Sequence, residues 1–205
     1  MKKEIVSRDV ATVVARILDA AQAEFMQVGY ERANTNRMAA DFGLSKATIF
    51  RHFRTKRDLF QAVLTRIAGG WSERVEQDVS CDTPPEEWLR SFGGTTLRWL
   101  LSEEALFVGR MAISEGDAHD DVRDIWPRFV TAPIHGILAK RLAGWQERGQ
   151  IGAGPAEALA GHFLDLALAG KVSRALYRSE AKGTSDELDQ HVAFCVDLFL
   201  DGCRN

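Results

Sequence analysis

Lys46, Thr48, Arg51 and His52 fall within two helical turns of one another, in the stretch DFGLSKATIFRHF at 41–53. Ammonium, hydroxyl, guanidinium and imidazole groups at that density suit hydrogen bonding to phosphates and base edges of nucleic acid. Lys46 can donate to guanine O6/N7 or to phosphate, while Ala47 and the Thr48 methyl can pack on a thymine methyl. A second grouping lies further along. His162 and Asp165 stand at i, i+3, and Glu115 and His119 at i, i+4, which places each pair on one helix face. Either pair could begin a metal site, but neither has a third ligand at helical spacing. Acid–base work by His162, Asp165 and Glu115 would need a nucleophile motif or a glycine-rich phosphate loop, and the sequence contains neither. No catalytic residue, metal site or cofactor is expected, and the chain is read as not an enzyme.

The elements that must position these groups are helices. Periodicity is helical almost throughout, with no alternating strand run. Val10, Val13, Val14, Ile17, Leu18, Ala21 and Phe25 make one apolar stripe from about Arg8 to Val28, with Gly29 as a stop. Asn34 can cap a short helix carrying Met38, Ala39 and Phe42, although Arg37 stands where a capping-box acid would be. Gly43 ends that helix and Ser45 can cap the next, which carries Ile49, Phe50 and Phe53. Two short helices joined by a glycine-containing turn form a helix-turn-helix, whose second helix enters the major groove. A longer helix is expected from about Arg57 to Val79, with Gly69 and Gly70 inside it at roughly 1 kcal/mol each relative to alanine. That pair is a candidate hinge. After CDTPPEE, patterns run at about 86–101, 103–115, 120–148, 155–178 and 186–201, and Pro127 and Pro133 should bend or break the third.

Charge is distributed unevenly along the 205 residues. Residues 1–60 hold 11 Lys+Arg against 7 Asp+Glu, +4; the rest hold 15 against 22, −7. A basic end on an acidic body suggests a polyanion-facing module joined to something else. No apolar run reaches membrane-span length and no signal peptide is visible, so no membrane partner and a cytoplasmic location are expected. Cys81, Cys195 and Cys203 are odd in number and widely spaced, which reads as reduced thiols.

Residues 16–60, RILDAAQAEFMQVGYERANTNRMAADFGLSKATIFRHFRTKRDLF, resemble the DNA-binding domain of the TetR family of transcriptional regulators. The matching points are Ile17-Leu18, Ala20-Ala21, Phe25, Gly29-Tyr30, Ala39, Gly43-Leu44-Ser45, Thr48, Phe53, Lys56 and Leu59. The resemblance implies DNA-facing roles for Asn34, Thr35, Asn36, Arg37, Ser45, Lys46, Ala47, Thr48, Phe50, Arg51, His52 and Lys56. Asn34 and Thr35 would cap the second helix and meet the backbone. Asn36 would read a base, since Asn suits bidentate contact with adenine. Ser45, Arg51, His52 and Lys56 would mostly hold phosphates. The sequence departs from the family pattern at Met38 (usually Ile), Phe42 (usually small) and Phe50 (usually Tyr).

The remaining chain resembles the family more loosely, through VGRMAISEG, ILAKRLAGWQERGQI and EALAGHFLDLALAGKVSRALY. The implied architecture is all-α, with about nine helices. Residues 1–56 would form the three-helix DNA-binding domain, with a flexible arm at 1–7, and 57–205 a helical effector-binding and dimerisation domain. The residues themselves also support a dimer: 155–178 is apolar or small on almost every face, and such a helix needs burial all round, by its own core on one side and a partner on the other, or by one large monomeric core. Leu159, Phe163, Leu166, Gly170, Val192, Cys195 and Phe199 are the expected interface of a two-fold homodimer. A cavity for a small, mostly apolar effector is implied chiefly by the resemblance. Trp71, Phe92, Trp99, Phe107, Met111, Glu115, Trp126, Phe129, His162 and Asp165 are its candidate lining, with Asp165 expected to be buried by a hydrogen bond across the dimer or to an effector. The function implied is a ligand-responsive repressor of a pseudo-palindromic double-stranded operator.

Overall fold

The computed structural model describes residues 2–71, 83–116, 120–152, 154–177 and 183–203. Among these there is no strand, and the chain divides into two compact units, Met1–Arg66 and Ile67–Asn205.

The first unit is built from α1 (Lys2–Arg32), α2 (Thr35–Asp41), α3 (Lys46–His52) and most of α4 (Lys56–Gly69). The stripe anticipated on α1 buries Ile17, Ala20, Ala21 and Phe25. Helix α1 starts at Lys2, so residues 2–7 of the expected arm are helical. Gly29 breaks it with φ 77 and ψ 174, a conformation an L side chain would strain, and one further turn follows to Arg32. Phe25, Tyr30 and Phe60 pack into a small aromatic cluster, Phe25 meeting Phe60 edge-on with centroids 4.9 Å apart and Tyr30 tilted against Phe60 at 4.7 Å. Met38, Ile49, Leu59, Val63 and Leu64 complete this core. Helix α4 opens on a reciprocal cap: Thr55 Oγ1 accepts from the Asp58 amide and Asp58 Oδ2 from the Thr55 amide, both at 3.0 Å. It ends at Gly69, so the Gly69–Gly70 pair lies at a terminus rather than inside a helix. The expected continuation over 72–79 lies outside the described residues.

The second unit contains α5 (Pro85–Leu100), α6 (Glu103–Glu115), α7, α8 and α9 (Ser185–Gly202). Helix α7 comprises Asp120–Arg123, a π-helical segment Pro127–Thr131 and Ala132–Glu147. Pro127 and Pro133 each lack an amide hydrogen, and the wide turn lies just where those donors are missing. Helix α8 likewise runs Ala156–Leu164, π-helical Asp165–Ala169, and Gly170–Tyr177. Two carbonyls of that second π segment have partners on α9. Ala167 O lies 2.9 Å from His191 Nε2, and Leu166 O accepts from Cys195 Sγ at 3.6 Å. Burial pushes the Cys195 thiol above its ordinary value, which keeps the proton on that sulfur.

Helices α5 and α9 pack closely because Gly93 has no side chain: a Cβ there would stand 2.8 Å from Val192 Cγ1. Arg90–Asp197 and Arg98–Asp189 bridges run along the same seam. Helix α9 carries a complete capping box, and the Thr184 amide and hydroxyl hold the Glu187 carboxyl below its ordinary value. Trp88 stacks on Phe92 at 4.6 Å and meets Trp145 edge-on at 5.5 Å. The Arg141 guanidinium lies over both indoles, at 5.2 and 5.7 Å.

Candidate nucleic-acid interface and ligand groove

The helix-turn-helix is fixed by local hydrogen bonds. Asn34 Oδ1 accepts from the Asn36 amide at 2.8 Å, the expected cap of α2. The acid missing at position 37 is supplied from another helix. Glu24 of α1, only 4% exposed, accepts from the Asn34 amide at 2.9 Å and from the Arg37 guanidinium through both carboxylate oxygens. The Arg37 hydrogen bond, reinforced by the Asn34 amide, holds the Glu24 carboxyl below its ordinary value against the opposing effect of burial. Helix α2 ends with Leu44 N donating to Ala39 O at 2.8 Å and Gly43 at φ 61, a Schellman closure. The Arg16 guanidinium donates to Phe42 O at 2.8 Å and ties this turn to α1.

Ser45 then caps α3, its Oγ accepting from the Thr48 amide at 3.0 Å and lying 2.8 Å from Thr48 Oγ1. Ile49 points into the core, while Lys46, Ala47, Phe50 and Arg51 are exposed and His52 and Thr48 half-buried. Positions 46 and 50, and 47 and 51, are i, i+4 neighbours, so the exposed side of α3 is one continuous face. Asn34, Asn36 and Ser45 are also exposed, and Thr35 half-buried. Lys46 Nζ lies 5.8 Å from the Phe50 ring centroid.

Besides the capping residues, two cations among the expected DNA contacts have partners inside the unit. The Arg37 guanidinium is held by Glu24, which gives it the job of fixing the start of α2. Lys56 donates to Glu31 O at 3.0 Å and sits 4.7 Å over the Tyr30 ring, which closes the end of α1. Phe50 lacks the hydroxyl usual at its position in the family pattern, and it is exposed. Phe50→Tyr is expected to leave thermal unfolding unchanged and to tighten DNA binding by about 0.5–1.5 kcal/mol, one net hydrogen bond. Weaker binding in a fluorescence-anisotropy titration would mean that the ring contacts DNA in another way.

In the second unit, α7 and α8 border a groove of about 770 Å³. Trp126 and Asp165 are the two expected ligand residues found there, and Asp165 is exposed in this single chain. Trp71, Phe92 and Trp99 are core: Trp71 Nε1 donates to Thr96 Oγ1 at 3.1 Å, and its ring meets Phe92 edge-on at 6.0 Å. Phe107, Met111 and Glu115 of α6 and Phe129 of α7 are half-buried away from the groove, and His162 is exposed outside it. Sequence reading missed His135, Glu157 and the apolar floor of Ile134, Leu164, Leu168 and Val172. Among the described residues, no three potential metal ligands converge. His119 and Cys81 lie outside the described residues.

The expected dimer residues divide likewise. Phe163, Val192, Cys195 and Phe199 are buried within this single chain, Phe163 and Phe199 packing edge-on at 5.2 Å. They form the protomer's own core. Leu159 is half-buried, and Gly170 and Leu166 are exposed. The outward apolar groups near them are Phe194, 67% exposed, and Leu198, 51% exposed.

Comparison with known proteins places both units. Residues 17–63 match the family described as "Bacterial regulatory proteins, tetR family", and residues 87–202 match "AefR-like transcriptional repressor, C-terminal domain". The uncharacterised HTH-type transcriptional regulator YvkB of Bacillus subtilis (strain 168) is 37% identical over 62 residues, 30% of this chain and 33% of that protein. The match thus spans a third of the length of that curated relative. A chain assigned to the TetR family from Mesorhizobium loti MAFF303099 shares the fold with a TM-score of 0.85 at 23% identity, over 96% of this chain and 98% of that one. The flavonoid-responsive regulator FrrA shares it with a TM-score of 0.73 at 18% identity, over 95% and 98%. None of the described helices is long and apolar enough to cross a membrane. The family consists of transcriptional regulators, generally ligand-responsive repressors, and not of enzymes. With the two matched stretches covering most of each unit, this chain belongs to the TetR family of bacterial transcriptional regulators.

Proposed function

We propose that the chain is a repressor that binds a pseudo-palindromic operator as a homodimer and is released by a small, mostly apolar effector. The observation that carries the DNA reading is the capped α3, with Ile49 buried and Lys46, Ala47, Phe50 and Arg51 in one exposed face. Its first residues, Lys46 and Ala47, would meet base edges, with Thr48 beside them. Asn36 would read from α2. Ser45, Arg51 and His52 would hold phosphates, which set register and carry the salt dependence of binding. Selection of bound sequences from random double-stranded DNA tests this reading. Enrichment of a two-fold site with half-sites one helical turn, or a multiple of it, apart is expected. Recovery of no preferred sequence would sink it.

Support for the effector comes from the groove, whose volume and largely apolar lining suit a small molecule. FrrA, which is flavonoid-responsive, shows that this fold accommodates a small-molecule response elsewhere. Support for the dimer comes from Leu166, Phe194 and Leu198, apolar side chains left outside the protomer core on α8 and α9. Phe194→Ser and Leu198→Ser are each expected to raise the dimer dissociation constant by about tenfold, since central apolar anchors dominate such interfaces. Sedimentation equilibrium measures it, and unchanged dimerisation in both variants would move the interface off this face.

A further inference from the structure

We propose that the groove between α7 and α8 selects organic cations: an ammonium or amidinium head on a short apolar body. This rests on reading the groove as the effector site only for its regulatory meaning. The lining itself points to the ligand class.

Two carboxylates stand in the groove wall. Glu157, Gly161 and Asp165 recur at i, i+4, i+8 on α8, and all three line the groove. They share one stripe of the helix, so the acids flank a gap where Gly161 contributes no side chain. Among the described lining residues there is no lysine or arginine, and His135 is the one group able to carry positive charge. That imidazole is turned onto Glu157, with Nδ1 3.2 Å from its carboxylate and Nε2 2.9 Å from its carbonyl oxygen. It orients Glu157 and leaves Asp165 to the groove. Trp126, half-buried, and Tyr177, exposed, add aromatic faces that attract a cation through the ring quadrupole.

The backbone supplies an independent sign that this groove is a site. Val130 and Thr131 come from the π segment of α7, and Asp165, Leu168 and Ala169 from that of α8. Single-turn π segments are frequent at functional sites, where they re-aim side chains from a helix. Here both helices bordering one groove carry theirs along its lining. An anion would meet the Asp165 carboxylate with no lysine or arginine in the described lining to compensate it, and a neutral ligand would gain nothing from that charge, whereas a cation is attracted by it. The apolar floor and the aromatic rim suit the body of the ligand and the acids its head.

Isothermal titration calorimetry on the full chain decides this with three probes of matched length: phenylbutyl trimethylammonium, phenylbutyl methyl ether and phenylpentanoate. The cation is expected to bind at least about tenfold tighter than either of the others. Added salt should weaken the cation alone. The double variant Glu157→Gln, Asp165→Asn should reduce the cation to the level of the ether while leaving the ether unchanged. Gly161→Leu, which fills the gap between the acids, should weaken all three. Both acids are exposed, so these variants are expected to fold, and their melting curves check it. Equal or tighter binding of ether or pentanoate overturns the proposal, as does a cation preference that survives the double variant. Operator binding is measured on the same samples: a cation preference without release of DNA leaves this inference standing and removes the groove from the repressor mechanism above.

Discussion

Ala47→Glu is expected to weaken operator binding by at least about 100-fold while leaving the fold intact. Position 47 is the second residue of α3, exposed and free of packing demands. Glutamate is a good helix former, and a carboxylate in the first turn of a helix contributes about 0.3–1 kcal/mol of stability through the helix dipole. The same carboxylate, placed where this face meets DNA, opposes the phosphates, and like charges brought together at an interface cost several kcal/mol. The two effects have opposite signs, so one substitution separates folding from function. Fluorescence anisotropy on the selected operator, with melting temperatures in parallel, reads both. Near-normal affinity with an unchanged melt would show that α3 does not face the duplex. Ala47→Gln, of nearly the same shape without the charge, should recover most of the lost affinity, which assigns the loss to charge rather than to bulk.

The elements around α3 were legible because their signals are local. Asn34, Gly43 and Ser45 each act within a few residues, through a cap or a positive φ. Glu24 was not legible, because it satisfies the Asn34 amide across ten residues, and no spacing rule connects an acid on one helix to a cap on another. In the second unit the limits are of another kind. Trp71, Phe92 and Trp99 are large and apolar, a description that fits a packed core and a ligand cavity equally well. Only placement separates them. The π segments add a phase error. Each widens one turn, so a strict 3.6-residue reading through 127–131 or 165–169 assigns faces wrongly beyond it. Helix α9, with no such segment, kept its phase. Its stripe of Leu188, Val192, Cys195, Val196 and Phe199 is the buried face, and Phe194 and Leu198 opposite are the exposed one. Periodicity gives two apolar faces but not which of them the chain buries in its own core.

Glu24→Ala is expected to destabilise the protein at neutral pH by about 1.5–3 kcal/mol, the range for hydrogen bonds to a charged group. It removes the acceptor for the Asn34 amide and the partner of Arg37 together. Glu24→Gln keeps a carbonyl oxygen for the amide and should lose about half as much. The pH dependence has a definite sign. The Glu24 carboxyl is held below its ordinary 4.5 in the folded state, so its contribution is complete above that value and is lost as pH falls through the lower folded value. The stability gap between wild type and Glu24→Gln should therefore be constant near neutrality and close in acid, as urea titrations over that range would record. A gap that widens toward low pH would contradict the depressed carboxyl. DNA binding supplies the second readout, because two roles for Arg37 give opposite results. Were its guanidinium a phosphate contact, removing the competing acid in Glu24→Gln would free it and raise operator affinity, and Arg37→Ala would lower the salt slope by about one contact. Held by Glu24 as the structure has it, Arg37 fixes the start of α2 and with it Asn36. Glu24→Gln should then weaken operator binding, and Arg37→Ala should weaken it with the salt slope unchanged.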